Sequence, residues 1–410
     1  MNLPYYQWRV PMKCKAPIFF AATLMFFALE VASAQSDLNV LRSYQKIFIR
    51  TALATKPEVI DNAVHDPEMK NSLGEFYDYA LSFVLQYADV FNDDLEMIRL
   101  ATTIAKGTAN VGGFQNRDAL WRLFMAYRDT NTRVAVLEAL AVLGKGDSRV
   151  VENLNQFLLN QNNVYRSGLM PDYAVLSACI TTLGKLGDGS SFPVLFSTMI
   201  AGYPDEYTQL AAQALGSIKG DYKKYLIDVI RKNSPVEKLA AFKAALQHTD
   251  FTPAEIGEIA ENALEISLTY IAPGDTDQAS LDEMRYASIR VLTDQKWSRA
   301  TTLVIKHFYR VQTDFSNGTV SKDVFIEAIQ CLGAMGTSEA AQALSIQLGL
   351  INSTMERTKD FDQDILTAVI QSLGNIGDKV AFDYLLYIGY LPYPDSIQTL
   401  AREAMNRLKW

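Results

Sequence analysis

Histidine and cysteine are scarce: the chain has three of each in 410 residues. His65, His248 and His307 stand far apart, and none belongs to an H-E-x-x-H or a metal-ligand cluster. There is no C-x-x-C, no G-x-S-x-G, no P-loop and no G-x-G-x-x-G. The usual zinc hydrolases, serine hydrolases, nucleotide hydrolases and dinucleotide-binding folds therefore find no purchase. No catalytic residue, metal ligand or cofactor is assigned, and the chain reads as a non-enzyme. Positive charge is also short. Lysine and arginine number 38 against 46 acids, for a formal charge of −8, which disfavours nucleic acid and anionic membrane surfaces as partners.

Long apolar runs are missing except near the start. Arg9, Lys13 and Lys15 precede an apolar stretch, Ile18–Leu29, followed by Ala32-Ser33-Ala34. This is the order of a signal peptide: a basic region, an apolar core too short for a comfortable span, then small residues for cleavage. Residues 1–34 are expected to be removed after Ala34, whether synthesis starts at Met1 or Met12, giving a periplasmic or secreted protein with no stable membrane span. Removal takes away a net two positive charges and leaves about −10. Cys14 would leave with it, so Cys179 and Cys331 remain.

Abundant hydrophobic residues, 49% of the chain, support a large core. They recur in a fixed frame ahead of a glycine, at positions −8, −5, −4 and −1. Before Gly144 these are Val136, Ala139, Leu140 and Leu143; before Gly184, Leu176, Cys179, Ile180 and Leu183. Before Gly333 they are Phe325, Ala328, Ile329 and Leu332; before Gly374, Leu366, Val369, Ile370 and Leu373. Gly216 carries a degraded copy with Thr208, Ala211, Ala212 and Leu215. The spacing is that of a helix with one buried face. The glycine is expected to stop the helix in a left-handed conformation. A short corner follows, and Asp147, Asp188, Asp221, Asp294, Asp378 and Thr337 or Ser338 are expected to cap the second helix of each pair.

These stretches, Ala135–Asp147, Ala174–Asp188, Leu210–Asp221, Phe325–Thr337 and Leu366–Asp378, resemble the HEAT-like repeat family, especially the short repeats of phycobilisome-lyase type. The resemblance implies an all-α fold, an α-solenoid of about eight two-helix repeats. It says little about function. HEAT-like hydroxylases hold iron with His-Glu pairs, and no His-Glu dipeptide occurs in this chain. Lyase chemistry on cytoplasmic phycobiliproteins does not suit an exported protein. The expected organisation is a helical cap over 35–92, repeats over 93–394, and a closing helix over 395–410.

Binding is expected outside the repeat frame. Long connections at Asn160–Pro171, Ala201–Asp205, Ala272–Leu281, Thr313–Ser321, Gly349–Asp360 and Tyr390–Asp395 would fall along one rim. Tyr165, Tyr203, Tyr390 and Tyr393 are the candidate contacts there, because tyrosine offers area at low entropic cost. The Pro-Asp pairs Pro171-Asp172, Pro204-Asp205 and Pro394-Asp395 read first as helix starts rather than as contacts. Charge is segregated in the middle: Lys219–Lys243 is basic, and Asp250–Glu283 has no lysine or arginine. Glu258, Glu261 and Glu265 share one helix face. Either a cationic partner or Ca²⁺ relieves their repulsion, or the face is simply solvated, or the basic block pairs with it across neighbouring repeats.

Cys179 and Cys331 occupy small-residue positions of the frame about four repeats apart. At ~10 Å per helix layer, they are too distant for a disulfide, which needs Cα atoms within about 7 Å. The expected function is a non-enzymatic exported scaffold that binds a protein or peptide through the loop rim or the concave face. A structural role in an envelope-associated assembly is the alternative, and a cofactor-handling enzyme ranks below both.

Overall fold

The computed structural model describes residues 37–409 except Gly112. The leader, its cleavage site and the start residue lie outside the described residues. Among the described residues the protein is all-α, with no strand beyond one isolated bridge between Asp378 and Lys409. In chain order the helices are α1 (37–50), α2 (Lys56–His65), α3 (Leu73–Gln86), α4 (Ala88–Phe91), α5 (Leu95–Val111), α6 (Arg117–Ala126) and α7 (Thr130–Leu143). Then come α8 (Ser148–Arg166), α9 (Tyr173–Leu186), α10 (Phe192–Ile200), α11 (Asp205–Ser217), α12 (Tyr222–Lys232), α13 (Pro235–Gln247) and α14 (Pro253–Thr269). The chain ends with α15 (Asp275–Asp294), α16 (Thr301–Ser316), α17 (Lys322–Met335), α18 (Ser338–Thr358), α19 (Gln363–Ile376), α20 (Phe382–Tyr387) and α21 (Asp395–Met405).

The described residues fall into two compact units: 37–191 with Gln209–Ser217, and Phe192–Thr208 with 218–409. In the first, α5, α7 and α9 pack in succession, while α6 and α8 pair with α7 and α9. In the second, α13, α15, α17, α19 and α21 form one layer, and α12, α14, α16, α18 and α20 form the other. In the second unit each helix from α12 to α19 thus packs against the helix two places on. The apolar frame explains this pattern. Every residue at −8, −5, −4 and −1 before Gly144, Gly184, Gly333 and Gly374 is buried. In α11 the frame is rotated: Ala211, Ala214 and Leu215 are buried, and Ala212 is exposed.

The helix ends correct the expected role of the framing glycine. α9, α17 and α19 run past Gly184, Gly333 and Gly374 and stop at Leu186, Met335 and Ile376. The left-handed residue is the next glycine: Gly187 at φ +65°, Gly336 at +66° and Gly377 at +71°. The framing glycine instead lets the next helix approach. A Cβ on Gly184 would lie 3.0 Å from Ala214 Cβ, one on Gly333 2.7 Å from Ser372 Cβ, and one on Gly374 3.0 Å from Ala404 Cβ. The facing residues are themselves small, so backbones meet where larger side chains would hold them apart.

Capping follows the expectation at Asp147, Asp188, Asp221, Asp378 and Thr337. Asp147 accepts from the amides of Arg149 and Val150, Asp221 from Lys224, Asp378 from Val380, and Thr337 from Ala340. Asp188 accepts from the Ser190 amide ahead of a short 3₁₀ turn. Each cap is worth about 1 kcal/mol. Asp294 does not cap; it is the last residue of α15. The Pro-Asp pairs start helices: Asp172 accepts from the amides of Ala174 and Val175, and α11 and α21 begin at Asp205 and Asp395.

Several connections are shorter than expected, because α8, α16 and α18 continue to Arg166, Ser316 and Thr358 and α15 begins at Asp275. The reason is visible in α8 and α18. Leu154, Leu158 and Asn162 share one buried face, as do Leu344, Leu348, Asn352 and Met355. An asparagine inside each stripe breaks the apolar period that would have marked the helix.

Candidate functional site

The acidic face of α14 is occupied by the fold. Glu258 accepts from Lys223 Nζ of α12 at 2.8 Å, and this contact raises the Lys223 pKa. Glu261 accepts from Trp297 Nε1 at 2.9 Å and from Arg299 Nε at 2.6 Å. Gly257 makes room for that indole, since a Cβ there would meet the ring at 2.7 Å. Lys243 pairs with Glu283 at 2.6 Å. The basic block therefore pairs with its acidic neighbour at two points, through Lys223 and Lys243. Glu265 alone of the three glutamates is exposed with no charged partner among the described residues.

The tyrosines separate. Tyr203 and Tyr393 are buried, so their ring faces are unavailable to a partner. Tyr393 donates to Asn352 Oδ1 at 3.1 Å and meets the Phe361 ring edge-on at 5.1 Å. Burial pushes its pKa to about 12. Tyr165 lies half-buried in the last turn of α8 rather than in a loop. Tyr390 is 75% exposed, in the short turn after α20.

Three buried groups carry large shifts without forming a site. Cys179, in the first unit, and Cys331, in the second, are buried free thiols, and burial drives both pKa values up. His307 of α16 is buried, and its pKa falls to about 3 through desolvation and then the nearby Arg285 and Arg310. Arg285 is itself buried, ion-paired to Asp282 at 3.1 Å and donating to Tyr286 Oη at 3.0 Å. Among the described residues no group of three or more His, Cys, Asp or Glu is placed to hold a metal ion. None of their helices is long and apolar enough to cross a membrane.

Two concavities of the second unit share α18 as a wall. The first, about 290 Å³, is lined by Gln312, Phe315 and Ser316 of α16, Phe325 of α17, Gln347, Leu350, Ile351 and Thr354 of α18, the 360–362 connection and Ile365. Its floor is aromatic: Phe315 stacks on Phe325 with centroids 5.1 Å apart, and Phe308 stacks on Phe325 at 5.8 Å. Gln312 donates to Gln347 across the wall. At the lip, Asp362 caps α19 through the Asp364 and Ile365 amides and pairs with Lys322 at 3.2 Å. Burial pushes the Asp362 pKa up, but the Ile365 amide and the Lys322 ammonium outweigh it and hold the carboxyl below its ordinary value.

The second concavity, about 310 Å³, lies between α18 and α20. Gly349, Asn352, Ser353 and Glu356 face Asp383, Tyr384 and Tyr387. The Tyr384 ring sits over Gly349, where a Cβ would be 3.1 Å away. Asn352 donates to the Tyr384 carbonyl at 3.1 Å, tying the two helices together. The Tyr387 hydroxyl pairs with Glu356, whose negative charge raises the tyrosine pKa. Leu350 is 53% exposed on the ridge between the cavities, and Ile346, Tyr384 and Tyr387 are also exposed. The arrangement can seat side chains.

Of the expected contacts, Tyr393 touches this region, through the Phe361 ring and Asn352. Phe315, Leu350, Phe361, Glu356, Tyr384 and Tyr387 escaped the sequence reading. The available signal was Tyr384 and Tyr387, three apart on one helix face and neither on the apolar stripe. No protein-family model matches the chain, and no curated protein matches it.

Proposed function

We propose that this protein is an exported, non-enzymatic α-solenoid of about eight HEAT-like helix pairs that binds a protein segment along α18. The single observation carrying this reading is the aromatic-floored groove between α16 and α19, edged by an exposed leucine ridge. A concave apolar surface with a few polar groups at its lip is the usual form of a recognition site. The helix pairs hold it on rigid elements rather than on loops, which keeps the ordering cost of binding low. The leader-like N-terminus supports the exported location. The repeated Gly-framed stripe supports the HEAT-like assignment. In this reading recognition rests on the helix faces beside the 359–362 connection, because Tyr203 and Tyr393 are buried.

A photo-crosslinking amino acid at Leu350, installed in the producing cell, tests the reading. Leu159 of α8, also exposed, is the control position. A discrete adduct from Leu350 and none from Leu159 is the expected result. Equal adducts from both, or none from Leu350, would contradict it.

A further inference from the structure

The second concavity states a chemistry that the first does not. Two exposed tyrosines and two carboxylates, Glu356 and Asp383, surround a floor kept low by Gly349. Neither carboxylate has a cationic partner within ion-pair distance among the described residues, and the same holds for Asp360 at the far lip of the first groove. Two nearby cations are engaged elsewhere. Lys322 is held by Asp362 and Asp364, and Arg357 turns back to donate to the Ser353 carbonyl at 3.2 Å.

We propose that this pocket receives the arginine or lysine side chain of a partner protein segment whose neighbouring apolar residue enters the aromatic groove across α18. The inference rests on the reading of α18 as the docking ridge and adds what the partner must carry. A cation gains from the tyrosine faces and from the carboxylates together. An aliphatic side chain would desolvate Glu356 without pairing it, and an anion would be repelled. The chain's net charge of −8 adds long-range attraction for a basic partner. Gly349 and Leu350 are consecutive yet line different cavities. A segment crossing α18 spans roughly one helix diameter, ~10 Å, which is about three residues of extended chain. The cation and the apolar anchor therefore stand about two to four residues apart.

A phage-displayed library of random dodecapeptides, panned on the intact protein and on a Glu356→Gln/Asp383→Asn variant, provides the test. Both substitutions are on the surface and keep side-chain volume, so the fold is retained. On the native protein, enriched peptides should pair arginine or lysine with an apolar residue at that spacing. A synthetic enriched peptide should bind the variant about tenfold more weakly by fluorescence anisotropy, while peptides selected on the variant keep the apolar residue and lose the basic one. Apolar enrichment without a basic residue would overturn this inference and leave the docking ridge standing, as would a basic preference unchanged in the variant. No enrichment blocked by Leu350→Asp would overturn both.

Discussion

Lys238 Nζ donates to the Ile230 carbonyl at 2.9 Å and lies 4.8 Å from the centre of the Tyr270 ring. Ile230 stands near the C-terminal end of α12, where carbonyls lack intrahelical donors. The lysine is buried, and burial lowers its pKa to about 8. The same arrangement occurs twice in the first unit. Lys56 donates to the Phe48 and Ile49 carbonyls ending α1 and sits over the Phe48 ring. Arg133 donates to the Tyr127 carbonyl after α6 and sits over the Phe124 ring. In each case a cation from the start of one helix closes the end of an earlier one.

Replacing Lys238 by Met should therefore cost about 1–3 kcal/mol, the price of an orphaned buried carbonyl. Lys243→Met, which breaks the half-exposed pair with Glu283, should cost less than about 1 kcal/mol. Urea denaturation of both variants measures the contrast.

The close approach of Gly333 to Ser372 makes a second prediction. Gly333→Ala places a methyl 2.7 Å from Ser372 Cβ and Oγ and should destabilise by about 1–3 kcal/mol through overpacking. Adding Ser372→Gly should recover part of that loss. Gly336→Ala has open space around it but a φ of +66°, so its cost of about 1–2 kcal/mol should not respond to Ser372→Gly. Equal recovery in both would show that packing at Gly333 is not the cause.

His307 sets a third. Its folded pKa of about 3 lies below the ordinary 6.5, so between those values the unfolded chain binds more protons than the folded one. Stability is full above about pH 6.5 and falls as the pH drops toward 3. At pH 5 the loss from this residue is about 2 kcal/mol. A His307→Gln variant should show a smaller difference in melting temperature between pH 7.5 and pH 5 than the native protein. Parallel pH curves would remove His307 from the acid limb.

The layers of the fold were legible because helical burial imposes a period that leucine, isoleucine and alanine display directly, as in Leu366, Val369, Ile370 and Leu373. Caps were legible because aspartate serves one local purpose at a helix start. Gly184 was misread because two glycines three residues apart both suit a helix end, and only the neighbouring Ala214 shows which one faces a backbone. Of the partners of the α14 carboxylates, the basic block was legible from charge segregation, whereas Trp297 and Arg299 were not, because they lie on a later turn of the chain. The groove was invisible for the same reason. Phe315, Phe325, Leu350 and Phe361 stand in four separate segments, and no spacing along the chain announces that they converge. Asn352 hid the helix that carries the ridge, by putting a polar residue where the apolar period required another leucine.

The groove along α18 is tested most directly by the affinity of a peptide or protein captured there, measured by calorimetry for the native chain, Leu350→Asp and Phe361→Ala. Both variants should keep their melting temperature within a few degrees, since Leu350 is exposed and Phe361 packs at the lip. Binding should weaken by about tenfold or more in each, as expected when a central apolar contact is lost. Affinity unchanged in both, with the fold intact, would contradict the assignment of this groove as the binding site.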